Sequence, residues 1–175
     1  NVIQLNHSGE IQKTFLTGLS LVQPFVDEKN LYVATLKQGV KAFDLITKKE
    51  LWSTSLKKNK VNARVWSGFS FDKETNSLFV VTSNPGGIIG EDRSGDDFSA
   101  SLISIDSNSG KIKWHYKHVV NDLWDFDLIS NPIIVKNLTL TKEKKSVNCV
   151  IALSKTGDLI IVDIETGLPV FDNSY

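Results

Sequence analysis

Three aspartates surround a tryptophan and a phenylalanine in one short stretch of the sequence, "NDLWDFD" at residues 121–127. Asp122, Asp125 and Asp127 stand just ahead of an apolar run, "LISNPIIV", which is typical of a β-strand. Carboxylates grouped beside aromatic rings have two explanations. They form a turn that docks one unit of a repeat protein on the next, or a site where a carboxylate does chemistry. The choice depends on the elements that position them.

An internal repeat supplies those elements. Three segments share an alternating strand, an aspartate, a turn and a second strand that ends on an aromatic residue: residues 40–52, 102–114 and 159–171. The spacing from aspartate to aromatic residue is the same in all three copies: Asp44 to Trp52, Asp106 to Trp114 and Asp163 to Phe171. Self-similarity of this kind indicates a repeat architecture.

The turn within each copy favours a residue that tolerates a positive φ. Gly110 and Gly167 meet this need in the second and third copies, whereas Lys48 stands at the same place in the first. We therefore expect the first turn to be the least ideal of the three.

Two further strands precede each of these segments, rich in Val, Ile and aromatic residues. Four-stranded antiparallel units in series, with no useful helical period, predict an all-β fold, a β-propeller of about three and a half blades. An open stack leaves raw edges and the sequence begins in mid-pattern, so we expect a fragment of a longer protein. The predicted division is the end of one blade at 1–18, then blades at 19–58, 59–118 and 119–175.

Topology places several candidate residues on one face of such a propeller. In a blade with strands A to D, the B to C turn and the D to A connection emerge on the same face, because each follows an even number of strand reversals. Trp66 precedes strand A of the second blade, and Asn84 ends its strand B. Asp125 and Asp127 lie in the next D to A connection, and Lys155 ends strand B of the third blade. All five residues are therefore predicted to share a face.

This face combines an indole, a carboxamide, two carboxylates and an ammonium group. An indole suits stacking on a flat ring, oxygen donors suit a hard cation such as calcium, and lysine suits a quinone or carboxylate oxygen. Each residue alone has a plainer explanation, because tryptophans dock blades, Asn-Pro pairs open turns and hairpin lysines are usually solvated. Their coincidence on one face favours a cofactor site.

The overall charge excludes several classes of partner. Lys plus Arg and Asp plus Glu are balanced at 20 each, so no net field attracts nucleic acid or an anionic membrane. The single cysteine, Cys149, has no second cysteine for an internal disulfide or a zinc site, and it leaves the redox compartment open. We predict no nucleic-acid partner.

Residues 62–127 carry four motifs in order, "VWSG", "NP", "DRSGD" and "DLWDFD", and the similarity continues through "ALSKTGDLIIVDIETGLPVF". This set resembles the pyrroloquinoline quinone (PQQ) dependent dehydrogenases, most nearly their membrane glucose dehydrogenase branch. The resemblance covers roughly residues 62–171, and the earlier part matches only as a generic repeat. It implies an eight-bladed ring and an enzyme that oxidises a sugar or other alcohol by hydride transfer to the quinone.

The resemblance also implies roles for individual residues. Trp66 would stack under the quinone, and Lys155 would hydrogen-bond its ortho-quinone oxygens. Asp125 would be the catalytic base and a metal ligand, together with Asn84. Asp127 stands where lanthanide-using relatives place an extra metal carboxylate, although the glucose branch carries the same aspartate. The implied cofactors are PQQ and Ca²⁺, alternatively Mg²⁺ or a lanthanide, with the metal acting as a Lewis acid.

The sequence departs from the family pattern in two places that bear on the site. The B to C turn of the first blade, "LKQG" at 36–39, lacks the metal-binding glutamate of the alcohol dehydrogenases. Val120 and Asn121 stand where the glucose branch commonly has histidines. The substrate and the metal therefore stay open.

Fold alone does not separate an enzyme from a non-catalytic propeller of the same repeat family, such as the outer-membrane assembly scaffolds that bind proteins. A degenerate relative that keeps the quinone site without turnover is a third alternative. The loop set Trp66, Asn84, Asp125 and Lys155 favours the enzyme, because a scaffold has no reason to keep these residues together. By resemblance, the electron acceptor would be a respiratory quinone or a cytochrome, and the location would be the periplasm, free or membrane-anchored.

Overall fold

The computed structural model describes residues 1–15, 18–20, 22–36, 39–58, 61–84, 97–140 and 145–171. Every regular element in these ranges is a strand, and no helix there is long and apolar enough to cross a membrane. The strands are β1 (Val2–Leu5), β2 (Ile11–Phe15), β3 (Phe25–Val26), β4 (Asn30–Thr35), β5 (Gly39–Asp44), β6 (Glu50–Thr54), β7 (Lys57–Lys58), β8 (Val61–Asn62), β9 (Arg64–Val65), β10 (Ser70–Asp72), β11 (Ser77–Ser83), β12 (Ser101–Asp106), β13 (Ile112–Lys117), β14 (Ile133–Leu140), β15 (Lys145–Leu153) and β16 (Leu159–Asp163).

Three stretches of the sequence motifs lie outside the described residues. They are the proline of the "NP" motif, the whole of "DRSGD", and the central "KQ" of the "LKQG" turn.

The strands form antiparallel sheets in sequence order. One four-stranded sheet contains β3 to β6, a second contains β10 to β13 with β9 on the end of β11, and a third contains β14 to β16. Beyond β16, the amide of Val170 donates to the Ile161 carbonyl (3.0 Å) and continues the third sheet. The pairs β1 with β2 and β7 with β8 complete the described sheets. This order confirms the all-β prediction, while the division into four residue ranges stays a prediction.

Each of the first two four-stranded sheets buries both of its faces. Strand side chains alternate in direction, so Leu31 and Val33 of β4 pack in the cluster that contains Phe15 of the preceding pair. Tyr32 and Ala34 point to the other face and pack in a cluster shared with the second sheet. The same alternation occurs on β11. Leu78 and Val80 pack in the cluster shared with the first sheet, and Phe79 and Val81 pack in the cluster shared with the third sheet. The sheets therefore stack in series through continuous apolar layers.

One tryptophan on each of these two sheets docks it on the next sheet. The indole N–H groups donate to backbone carbonyls of the following sheet: Trp52 to Ser107 (2.9 Å) and Trp114 to Ile164 (3.1 Å). Each ring lies against the turn glycine of that sheet, because a Cβ on Gly110 would be 2.7 Å from Trp52 and a Cβ on Gly167 would be 2.6 Å from Trp114. The repeated spacing from aspartate to tryptophan thus serves blade docking.

The repeated aspartate closes the turn on which the next tryptophan rests. Asp106 Oδ1 accepts hydrogen bonds from the amides of Asn108 (3.2 Å) and Ser109 (2.8 Å) and from the Ser109 hydroxyl (2.7 Å). Asp44 and Asp163 accept the corresponding bonds in their own turns. These aspartates have a structural role, because each carboxylate accepts hydrogen bonds from backbone amides within its own turn.

The first turn is expected to be improved by glycine. Lys48 has φ 63°, whereas Gly110 and Gly167 have φ 74° and 71° at the same place. Because the left-handed conformation costs a residue with a Cβ about 1 kcal/mol, Lys48→Gly should raise the free energy of unfolding by about 0.5 to 1 kcal/mol in urea denaturation. Lys48→Ala keeps the Cβ and is the matched control. An equal gain from alanine would place the effect in the lysine side chain instead.

Candidate active site

Trp66 is fixed by contacts with the connection that follows the second sheet. The pairing of β9 with β11 anchors the segment that carries Trp66 on that sheet. Trp66 Nε1 then donates to the Leu128 carbonyl (2.6 Å), and the Ser67 hydroxyl donates to the Ile129 carbonyl (3.0 Å). The edge of the indole is therefore attached to the connection that contains the aspartates.

The same connection pairs with the end of β15. The amide of Ile129 donates to the Leu153 carbonyl (2.9 Å), and the amide of Lys155 donates to the Asp127 carbonyl (3.0 Å). This short antiparallel pairing brings the second and third sheets together and places Lys155 beside the aspartates.

The Lys155 ammonium joins three of the predicted residues. Its Nζ lies 2.7 Å from Asp125 Oδ2 and 2.7 Å from Asp127 Oδ1. It also lies 4.8 Å from the centroid of the Trp66 ring, within the range of a cation–π interaction. One positive charge therefore organises two carboxylates and the indole.

Asn84 completes the cluster from the end of β11. Its Nδ2 donates to Asp125 Oδ1 (2.9 Å) and to Asp122 Oδ2 (2.6 Å), and its backbone amide donates to Asp127 Oδ2 (3.0 Å). Asn84 Oδ1 is buried and has no hydrogen-bond partner among the described residues. With both amide protons directed at carboxylates, this oxygen is the acceptor that the carboxamide offers to a ligand.

The cluster has an exposed side and a buried side. The side chain of Asp125 is 47% exposed and Trp66 is 40% exposed, whereas the side chain of Asp127 is only 2% exposed. Asp125 also has φ 69°, a conformation that a non-glycine residue keeps only when its surroundings hold it. Asp125 and Trp66 lie on the side that can meet a bound organic molecule, and Asp127 and Asn84 lie on the buried side of the cluster.

The structure brings together the five residues that the sequence predicts for one face: Trp66, Asn84, Asp125, Asp127 and Lys155. The sequence assigns no separate role to Asp122, which is 2% exposed and bonded to Asn84. The signal that could have found Asp122 is its residue type at the start of a turn, because aspartate side chains commonly accept hydrogen bonds from the backbone amides that follow them.

The family model of the PQQ glucose/ethanol/alcohol dehydrogenase β-propeller domain matches residues 53–174. The chain belongs to this family. The quinate/shikimate dehydrogenase (quinone) of Acinetobacter baylyi is 30% identical over 147 residues, which cover 75% of this chain and 18% of the relative. The quinoprotein glucose dehydrogenase of Gluconobacter oxydans is 30% identical over 109 residues, which cover 58% of this chain and 13% of the relative. The chain thus spans less than a fifth of either curated relative.

A solved structure supports the fold of this PQQ-family chain. The quinohemoprotein alcohol dehydrogenase of Comamonas testosteroni superposes with a TM-score of 0.76 at 21% identity, over 96% of this chain and 31% of the other. The match confirms the predicted β-propeller, and the family model confirms the resemblance drawn from the loop motifs.

The charges of the PQQ-family cluster depend on one another. Burial raises the pKa of Asp127, although the Lys155 ammonium and the Asn84 amide act to lower it. Burial lowers the pKa of Lys155, but its interactions with Asp125 and Asp127 outweigh burial and raise it. Lys155 therefore stays protonated at neutral pH and supplies the positive charge that a buried carboxylate requires.

The cluster fits a hard cation and a flat ring. Among the described residues, no three or more His, Cys, Asp or Glu side chains are placed to hold a metal ion. A cation would instead meet a mixed set of oxygens, namely Asn84 Oδ1 and the carboxylates of Asp125 and Asp127. These are donors of the kind that calcium takes, and the unpartnered Asn84 oxygen is the observation that favours a ligand here. The exposed indole of Trp66 suits a stacked ring.

Proposed function

We propose that the protein that carries this chain is a PQQ-dependent dehydrogenase of an alcohol or sugar, with Asp125 as its general base. The observation that carries the proposal is the half-exposed Asp125 carboxylate, which lies in one cluster with Asn84, Lys155 and the exposed Trp66 indole. Membership of the family supports the reaction class.

Each residue of the cluster has a distinct task in this proposal. Trp66 stacks against the quinone, Lys155 donates to it, and Asn84, Asp125 and Asp127 hold a hard cation, which is Ca²⁺, Mg²⁺ or a lanthanide. When bound, PQQ supplies the hydride acceptor and the cation supplies Lewis-acid polarisation.

Asp125 removes the proton of the substrate hydroxyl in this scheme. Lys155 Nζ donates to its Oδ2 (2.7 Å) and Asn84 Nδ2 donates to its Oδ1 (2.9 Å), so the carboxylate is held in one orientation. A base must stand within hydrogen-bond reach of the proton it takes, and the exposed side of Asp125 provides that access.

The proposal extends to electron transfer and location. A respiratory quinone or a cytochrome would take the electrons, and the periplasm would be the compartment. Both follow from the family and not from a feature of the described residues.

The direct test is reconstitution of the protein as the cell makes it. The protein is stripped of metal, supplied with PQQ and either Ca²⁺, Mg²⁺ or La³⁺, and assayed by dye-linked oxidation of glucose, quinate and simple alcohols. Turnover that requires both PQQ and a metal is expected. Failure to bind PQQ with any of these metals would contradict the proposal and favour the protein-binding propeller as the alternative.

Asp127 is expected to matter more for a trivalent cation than for a divalent one. Asp127→Asn removes one negative charge from the proposed ligand set, and affinity in oxygen sites follows the charge of the ligands. We expect La³⁺ binding to weaken by about tenfold or more, and Ca²⁺ binding by less, in calorimetric titrations with PQQ present. Equal losses for both ions would assign Asp127 to the support of Lys155 alone.

A further inference from the structure

The carboxylate of Asp122 accepts hydrogen bonds from three groups that shape the cluster. Its Oδ1 accepts from the amides of Trp124 (3.2 Å) and Phe126 (2.8 Å), and its Oδ2 accepts from Asn84 Nδ2 (2.6 Å). Asp122 is 2% exposed, and its two carboxylate oxygens face Asn84 and the turn that carries Asp125. These three bonds connect Asp122 to the candidate cation ligands.

The two backbone bonds enclose Asp125. The amides of Trp124 and Phe126 lie on either side of it, and Asp125 has the left-handed φ of 69°. A non-glycine residue in this region costs about 1 kcal/mol or more and requires outside support. Asp122 Oδ1 gives that support to the turn that presents the Asp125 carboxylate.

The third bond sets the direction of the Asn84 carboxamide. Both amide protons of Asn84 are directed at carboxylates, those of Asp122 and Asp125, so a reversed carboxamide would set its oxygen against two negative charges. The orientation held by Asp122 therefore leaves Asn84 Oδ1 without a hydrogen-bond partner among the described residues, as an acceptor open to a ligand.

We infer that Asp122 is a positioning residue for the cation site: it turns the Asn84 oxygen toward the cation and holds the turn that carries Asp125. The inference rests on the proposed function, because Asn84 is a proposed ligand. Asp122 acts through Asn84, so removing its carboxylate should weaken cation binding without unfolding the protein.

Asp122→Asn isolates this role. The new side chain keeps an oxygen for the Trp124 and Phe126 amides, but its NH₂ group faces the NH₂ group of Asn84. Either the two donors clash, or the Asn84 carboxamide reverses and presents an NH₂ group to the cation. We expect Ca²⁺ and La³⁺ to bind about 10 to 100-fold more weakly, the usual effect of losing the group that orients a ligand.

The experiment uses the full natural protein after its metal has been removed. Ca²⁺ or La³⁺ is titrated into it in a calorimeter, with and without PQQ, and circular dichroism monitors the fold. Asp158→Asn is the matched control, because it removes the same charge from the hairpin after Lys155, and the bonds of Asp158 go to residues 118, 154 and 156. Its binding should stay within about twofold of wild type. Asp122→Ser, whose hydroxyl can accept from the same amides, is the second variant and should also weaken binding.

A double-mutant cycle separates positioning from charge. In an Asn84→Ala background, Asp122→Asn should weaken binding by no more than about threefold further, because the residue it orients is gone. The same large factor in both backgrounds would overturn the inference and leave a simple charge effect. Wild-type affinity in folded Asp122→Asn and Asp122→Ser would also overturn it, as would wild-type protein that takes up neither ion. Cation binding without dehydrogenase turnover in the wild type would count against the proposed function while the inference stands.

Discussion

Asp125→Asn is expected to lower kcat by about 10² to 10⁴-fold, the usual contribution of a general base. Asparagine has nearly the shape of aspartate and tolerates the left-handed backbone that Asp125 adopts at φ 69°. It also keeps one oxygen that can accept from Lys155 or from Asn84, but it has no carboxylate to take a proton. The measurement is dye-linked turnover of the protein as the cell makes it, at saturating PQQ and metal.

Cofactor binding decides how that result is interpreted. If Asp125 is the base, PQQ should still bind, as measured by absorbance titration, and KM should change far less than kcat. Asp158→Asn should leave kcat unchanged, because that carboxylate lies outside the cluster. A loss of PQQ affinity that parallels the loss of turnover would instead make Asp125 a residue that holds the site together. Normal turnover would place the base elsewhere.

The proximity of the candidate site residues could be predicted from the sequence because it follows from strand counting. Trp66 and Lys155 are far apart in the chain, yet each lies on the side of the propeller where the B to C turns and D to A connections emerge. Antiparallel strands reverse direction with certainty, so the face of each loop depends only on how many strands precede it. The 4.8 Å approach of the Lys155 ammonium to the Trp66 ring agrees with that count.

The division of work among the aspartates could not be predicted in the same way. Asp122, Asp125 and Asp127 look alike in the sequence, but Asp122 and Asp127 are buried and Asp125 is half exposed. That difference arises from the left-handed backbone at Asp125 and from the bonds of Asp122 to the turn, neither of which leaves a periodic signal. The two explanations of the acidic segment are therefore compatible, since it docks on β15 and also presents a carboxylate.

The tryptophans of the repeat show the same limit. Equal spacing from aspartate to aromatic residue identified the repeat, but the spacing alone did not reveal that Trp114 rests on Gly167 of the following sheet. The contact depends on the absence of a Cβ on that glycine. It forms across a junction between sheets, where a pattern within one segment carries no information.

Gly167→Ala is accordingly expected to lower the free energy of unfolding by about 2 to 4 kcal/mol. The added Cβ would stand 2.6 Å from the Trp114 ring, and alanine would also have to adopt φ 71°. Gly157→Ala is the matched control, because Gly157 has φ 87° in the hairpin before β16 and its Cβ would meet no atom within 4 Å. That variant should cost only the backbone strain, about 1 to 2 kcal/mol. Urea denaturation of the protein as the cell makes it measures both.

Trp114→Ala turns this comparison into a test of the junction between sheets. Removal of a tryptophan that is 9% exposed should itself cost about 3 to 5 kcal/mol, and it opens the space that a Cβ on residue 167 would need. In that background Gly167→Ala should cost about 1 to 2 kcal/mol, the same as Gly157→Ala, because only the backbone strain is left. Strictly additive losses would mean that the ring and the turn stabilise the fold independently. If Gly167→Ala in the Trp114→Ala background costs no more than Gly157→Ala, the contact between Trp114 and Gly167 stabilises the junction between the sheets.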